Sequence, residues 1–253
     1  MQDAVERVIN TMWDQYHEPL SLEDMAGTAV FSRFYFSRIF RSVTGTSPGR
    51  FLTAVRLYKA KHLLLQTSAS VTDISYQVGY NSPGTFSSRF TRSVGMSPAR
   101  FRYLSRTGMA GPASPPDTSG LPCSIGGWVS TPSTDRPLRI YLGAFDSTIA
   151  QGQPASCTRL EGAGPYQLAG LPDGEWYVHA VAVAVRDLDP RPWARRPLYL
   201  AAGQLVEVSG GRPVRCDLQL RPPQLTDLPI LLALPELDST RLAEPISAQD
   251  CVG

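Results

Sequence analysis

The chain has 253 residues, 42% hydrophobic and 18% charged, which excludes a disordered or membrane-spanning chain and leaves room for two separate cores. No apolar run approaches the ~20 residues that cross a bilayer, and Met1-Gln2-Asp3-Ala4-Val5-Glu6-Arg7 lacks the apolar block of a secretion signal, so a cytoplasmic protein with no membrane partner is expected. The net charge of +2 hides an asymmetry: residues 1–107 hold 13 Lys and Arg against 7 Asp and Glu, and residues 108–253 hold 11 against 15. The first part is therefore either a candidate for a phosphate-bearing partner or a solvated basic face.

In chain order, Val5, Val8, Ile9, Met12, Trp13 and Tyr16 recur at three- and four-residue spacings and predict a first helix. Ser21 caps a short helix carrying Leu22, Met25 and Ala26, with Asp24 as an imperfect capping-box partner. Ser32 opens a third helix with Phe36, Ile39, Phe40 and Val43, closed by Gly45. From Ser47 and Pro48 a longer helix runs through Phe51, Val55, Leu57, Ala60 and Leu64 to about Gln66.

The pattern then repeats. Phe36 to Phe51 aligns with Phe86 to Phe101 without a gap at a period of 50, whereas Leu22, Met25 and Ala29 match Val71, Ile74 and Val78 at a period of 49, so the two turns differ by one residue. Each copy is a short helix, a tight turn and a second helix. That arrangement places the second helix in a major groove while the first braces it, although helical repeats also build protein-binding scaffolds. Gly79 falls in the second turn, where a sharp bend favours positive φ.

Val71-Thr72-Asp73-Ile74-Ser75-Tyr76-Gln77-Val78-Gly79-Tyr80, the Phe-Ser-x-x-Phe helix at Phe86 and the ending Gly95-Met96-Ser97-Pro98-Ala99-Arg100-Phe101 carry a specific signature. Residues 1–106 resemble the AraC/XylS family of bacterial transcription regulators, whose DNA-binding domain is two such units joined by a long helix. The first turn, Ala29-Val30-Phe31-Ser32, lacks the small residue many members carry there, and the domain leads the chain instead of ending it. The resemblance implies double-stranded DNA as partner. It places Arg33, Phe34, Ser37, Arg38 and Arg41 toward the groove in the first unit, with Arg38 reading a base, and Pro83, Gly84, Ser87 and Ser88 in the second, with Arg92 beyond them. Arg50, Arg100 and Arg102 are phosphate contacts or solvated charges, and Phe36, Ile39, Phe40, Phe86 and Phe90 are core.

Residues 107–120 lose all apolar periodicity, with Pro112, Pro115, Pro116 and several glycines, and read as a linker. Alternation with frequent turns over 121–222 predicts an all-β sandwich, with strands at Ser124–Ser130, Leu138–Ala144, Ala155–Leu160, Tyr166–Leu168, Glu175–Ala184, Leu198–Ala201, Gln204–Val208 and Val214–Leu220. Ile125-Gly126-Gly127-Trp128-Val129 and the Leu171-Pro172-Asp173-Gly174 turn resemble the transthyretin-like sandwich of carboxypeptidase regulatory domains. The fold class is thus multidomain α and β: an all-α double helix-turn-helix domain followed by an all-β sandwich.

The sandwich is expected to sense a small-molecule or protein effector, or to mediate self-association as a homodimer. No nucleophile elbow, phosphate loop or HExxH motif occurs, so no enzyme and no cofactor are expected. Cys123, Cys157, Cys216 and Cys251 lack CxxC spacing, and with His17, His62 and His179 the only histidines, no metal site is expected. His179 reads as a packed strand residue in preference to a catalytic base. Residues 187–196, with Trp193 beside Arg195 and Arg196, are a ligand clamp or a loop with a structural tryptophan. The apolar tail of 223–253, Leu228 to Pro235 above all, is expected on the sandwich or at a dimer contact. The alternative reading of the whole is an interaction adaptor with a carbohydrate- or peptide-binding sandwich.

Overall fold

The computed structural model describes residues 1–107, 124–185 and 197–231, which divide into two units. The linker, the Trp193 loop, Cys123, Cys251 and the tail beyond Leu231 lie outside the described residues.

The first unit holds α1 (Gln2–Asp14), α2 (Leu22–Ala29), α3 (Arg33–Thr44), α4 (Pro48–Gln66), α5 (Val71–Gln77), α6 (Pro83–Val94) and α7 (Pro98–Thr107). Serine starts most of them. Ser21 and Ser70 form complete capping boxes, accepting from the Asp24 and Asp73 amides while each carboxylate accepts from the serine amide. Asp therefore does here what a Glu or Gln does in the standard box, correcting the expectation of an imperfect one. The serine hydroxyls, which also donate to these carboxylates, and the serine amides hold both carboxyls below the usual range. The Ser32, Ser47 and Ser82 side chains cap α3, α4 and α6 by accepting the amide three residues on, each contact contributing about 1 kcal/mol.

The repeat extends into the core. Phe36 meets Phe40 edge-on at 5.5 Å and Phe40 meets Phe51 at 5.5 Å; fifty residues on, Phe86 meets Phe90 at 5.6 Å and Phe90 meets Phe101 at 5.7 Å. All six rings are buried. Between the two clusters runs α4, whose buried Leu52, Ala54, Val55, Leu57, Ala60 and Leu64 occupy several faces of the helix because both units pack on it.

The turns reach one hydrogen-bond pattern by different means. In the first, the Phe31 amide donates to the Ala26 carbonyl at 3.0 Å; in the second, the Tyr80 amide donates to the Ser75 carbonyl at 2.9 Å. Both need a left-handed residue, supplied by Gly79 at φ 80° but by Val30 at φ 60°. A β-branched side chain there stores about 1–3 kcal/mol, and Val30 is 83% exposed, so burial offsets little of it. Val30→Gly is therefore expected to stabilise the helical unit by about 1 kcal/mol after the extra chain entropy of glycine, read as a rise in denaturation midpoint at unchanged slope. Gly79 has no such latitude: an added Cβ would lie 2.8 Å from the His17 carbonyl oxygen.

Residues 224–231 group with the helices. Leu228 packs on the first unit's core, Leu231 is buried, and the Ile230 carbonyl accepts a hydrogen bond from Lys61 Nζ at 3.4 Å. This corrects the expectation that Leu228 and its neighbours cover the sandwich or a dimer contact.

The second unit contains β1 (Ser124–Ser130), β2 (Leu138–Phe145), β3 (Ser156–Leu160), β4 (Gly164–Ala169), β5 (Gly174–Ala184), β6 (Tyr199–Val208), β7 (Val214–Arg215) and β8 (Leu218–Gln219). One sheet runs β4-β1-β7, with β8 also parallel to β1; the other runs β3-β2-β5-β6. Side chains of both, including Ile125, Tyr166 and Leu218 from the first and Ile140, Val178 and Val208 from the second, form a single apolar cluster.

Two sequence expectations change here. Leu198–Ala201 and Gln204–Val208 are parts of one strand, β6, bulged where Gly203 takes φ 52° opposite His179. The expected strand Val214–Leu220 is broken at Cys216-Asp217, where the Cys216 amide donates to the Gly126 carbonyl and Asp217 accepts the Trp128 amide at 2.9 Å. A Cβ on Gly127 would overlap the Cys216 carbonyl, which explains the glycine at that position of β1.

Candidate nucleic-acid interface

Helix α3 turns Phe36 and Phe40 inward, so its opposite side faces solvent by helical periodicity. Phe34, Ser37, Arg38 and Arg41, at spacings of three, four and seven, form one outward stripe; Ser37 is half-buried, and the others are exposed. Phe34 is 89% exposed, the highest of any large apolar residue among those described. Arg33 lies about 90° round the helix from the stripe's centre and makes an exposed 3.7 Å contact with Glu23 of α2, which contributes little stability.

The Arg38 guanidinium sits 5.6 Å from the centroid of the Tyr35 ring, and Tyr35 packs edge-on against Phe31 at 5.0 Å. An otherwise free arginine is thereby held over an anchored ring, restricting the rotamers it samples. Tyr35 was not among the candidate residues; an aromatic three positions before an arginine on an exposed helical face is the signal that could have found it.

Helix α6 presents the equivalent stripe with Gly84, Ser87 and Ser88. Pro83 occupies its first turn, half-buried, and Gly84 is open, with only the Ser82 hydroxyl within 4 Å of an added Cβ. Ser87 is half-buried, and its carbonyl accepts the Thr91 hydroxyl at 2.8 Å, so the period-50 counterpart of Arg41 has its hydroxyl turned back on the helix. Arg92 is exposed but about 90° from the stripe's centre, a marginal position like that of Arg33. The two faces thus share geometry and differ in chemistry, one bearing guanidiniums and a ring, the other hydroxyls and bare backbone.

A residue outside the sequence candidates ties the connection after α1 and lies against the second turn. Arg56 of α4 donates from Nε to the Tyr16 carbonyl and from Nη2 to the Glu18 carbonyl, both at 2.7 Å, and its guanidinium lies against Gly79. Burial pulls its pKa down. Arg50 and Arg100 are exposed in the first turns of α4 and α7, while half-buried Arg102 donates to the Leu64 carbonyl at 3.4 Å and is thereby tied to the fold.

In the β unit, His179 Nδ1 accepts the Gly203 amide at 3.2 Å and its ring packs edge-on against Phe145 at 5.5 Å. Burial drives its pKa down to about 4, so it is a neutral packed residue at physiological pH, as the sequence suggested. Among the described residues no three His, Cys, Asp or Glu side chains cluster as metal ligands, and no helix is long and apolar enough to cross a membrane. Neither Cys157 nor Cys216 forms a disulfide among the described residues.

Residues 25–103 match the family model described as a helix-turn-helix domain. The chain is 31% identical over 103 residues to the lactose operon transcription activator of Staphylococcus xylosus, covering 41% of this chain and 37% of that protein. It is 38% identical over 89 residues to the HTH-type transcriptional activator RhaS of Enterobacter sp., covering 35% and 32%. It thus spans about a third of the length of these two relatives, both of which bear the names of regulators and not of enzymes. Among solved structures, a transcriptional regulator with an AraC-type DNA-binding domain from Chromobacterium violaceum is 30% identical, covering 42% of this chain and 95% of that chain at a TM-score of 0.40.

Proposed function

We propose that the chain is a sequence-specific DNA-binding transcription regulator that reads two stretches of major groove. The observation carrying this reading is the duplicated unit itself: two copies of one helix-turn-helix, with matching serine caps and aromatic core, each leaving the outer stripe of its second helix uncovered. Helix α4, with 19 residues, is about 28 Å long, comparable with the ~34 Å between successive openings of the major groove on one side of B-DNA.

In this reading α3 is the base reader. Arg38 donates two hydrogen bonds to guanine O6 and N7, Phe34 and Ser37 line the same groove, and Arg33 and Arg41 reach phosphates. Helix α6 has no forked donor on its stripe. Pro83, Gly84, Ser87 and Ser88 allow close approach and hydroxyl contacts, with Arg92 on a phosphate, so this half reads fewer bases and relies on DNA shape.

The two sheets and their common core support a β-sandwich of transthyretin-like type at residues 121–222, serving as a module for effector sensing or self-association. Its location with the reader in the cytoplasm is part of the same proposal.

The test is selection of bound duplexes from a random pool by the full chain and by its Arg38→Ala variant. The parent is expected to enrich one motif, and the variant to lose about 1–3 kcal/mol of binding, with relaxed preference at a single base pair. Enrichment of the same motif with equal sharpness by both proteins would remove Arg38 from base reading.

A further inference from the structure

Within residues 224–231, Leu228 and Ile230 contact the helical unit. Leu228 packs on the core formed by α1 to α4. Two residues on, the Ile230 carbonyl accepts from Lys61 near the end of α4, and the Lys61 nitrogen lies 5.9 Å from the ring centroid of Phe101 in α7, a ring that closes the second unit's aromatic cluster. Leu231 is 1% exposed.

The upstream end of this segment is also fixed. Arg221 exchanges both backbone hydrogen bonds with Leu200 of β6, at 2.8 and 3.0 Å, and only Pro222 and Pro223 separate it from Gln224. Both prolines lock φ and lack amide donors. While the segment is docked, Phe34, Arg38, Ser88 and Arg92 all remain exposed. It therefore leaves the outer stripes open, and its effect falls on the packing of the helices behind them.

We propose that residues 224–231 are a brace that fixes the relative orientation of the two helix-turn-helix units, so that the chain leaving the β domain governs how well both recognition helices engage DNA together. The binding part of this inference rests on the DNA-reading function proposed above; the bracing part does not. A rigid α4 held at both ends keeps the two readers in register, and an unclipped one lets them engage one at a time, which loses the advantage of tethered binding.

Lys59 and Lys61 are the chain's two lysines, so brief acylation with an N-hydroxysuccinimide ester, read by mass spectrometry, reports the brace with an internal reference. In the full-length parent, Lys61 should be modified about tenfold more slowly than Lys59, because its nitrogen is reached only through local opening. Full-length Leu228→Asp should bring the two rates within about twofold and speed hydrogen exchange in α4 and α7. It should also weaken binding about tenfold on a duplex carrying both halves of the motif selected by the parent, with little change on one carrying the α3 half alone.

Leu228→Ala, which removes contacts without adding a charge, should move every readout the same way by less, and it decides the matter should the Asp variant lose its helical circular dichroism. The brace is overturned by Lys61 protection and exchange that stay at parent values in both variants, or by release of Lys61 with an unchanged ratio between the two duplexes. A parent that binds no duplex sinks the DNA reading, while acylation and exchange still decide whether the segment clips the helices.

Discussion

Raising the pH from 7 to 9 is expected to stabilise the helical unit by about 2 kcal/mol, and Lys61→Met is expected to abolish that gain. Burial alone pulls the Lys61 pKa from 10.5 to about 7 in the folded chain. Between those two values the unfolded chain carries a proton that the folded chain has released, so stability rises with pH throughout the window. Below pH 7 both states are protonated and the folded state bears the desolvation cost of a buried ammonium. Methionine matches the stem of lysine in length and carries no charge, so the variant should also be more stable than the parent at pH 6. Denaturant unfolding followed by helical circular dichroism at pH 6, 7, 8 and 9 measures both effects. An equal slope against pH in parent and variant would assign the dependence to other groups.

The same lysine marks what the sequence did not disclose. At position 61 it occupies a helix whose apolar residues already fill several faces, and nothing local tells an observer that a chain segment 169 residues away closes over it. The tail could be recognised as apolar from Leu228 to Leu234, but apolar composition does not name the surface it covers. Tertiary placement decided between the sandwich and the helices.

Elsewhere the local code was sufficient. The helical unit was legible because serine caps, glycine or left-handed C-caps and buried phenylalanines recur at a fixed period, so each copy corroborates the other. The strands were legible from alternation, except where backbone irregularity intervenes. Gly203 introduces a bulge without interrupting β6, and the break at Cys216-Asp217 serves the close approach to Gly127, a relation between distant segments. In the candidate interface the outward stripe followed from the inward one. The support of Arg38 by Tyr35, and the placing of Arg56 against the second turn, depend on side-chain packing that periodicity does not describe.

The proposal that this unit reads DNA has a consequence larger than that of any single substitution. Arg33, Arg41, Arg50, Arg92, Arg100 and Arg106 are all exposed on the helical unit, and contacts from such a set to about six phosphates would release a comparable number of condensed counterions. Binding would then fall about 10³-fold between 50 and 200 mM salt. An interaction adaptor gathers its affinity from desolvated apolar surface and would show no specific retention of duplex DNA.

The decisive measurement is therefore the affinity of the full chain for its selected duplex, and for a scrambled duplex of equal length, at several salt concentrations in that range. The account predicts a steep fall for both, with the selected duplex held more tightly at every concentration, because phosphate contacts set the slope and Arg38 on its base sets the offset. A flat response, or equal binding of the two duplexes throughout, would contradict it.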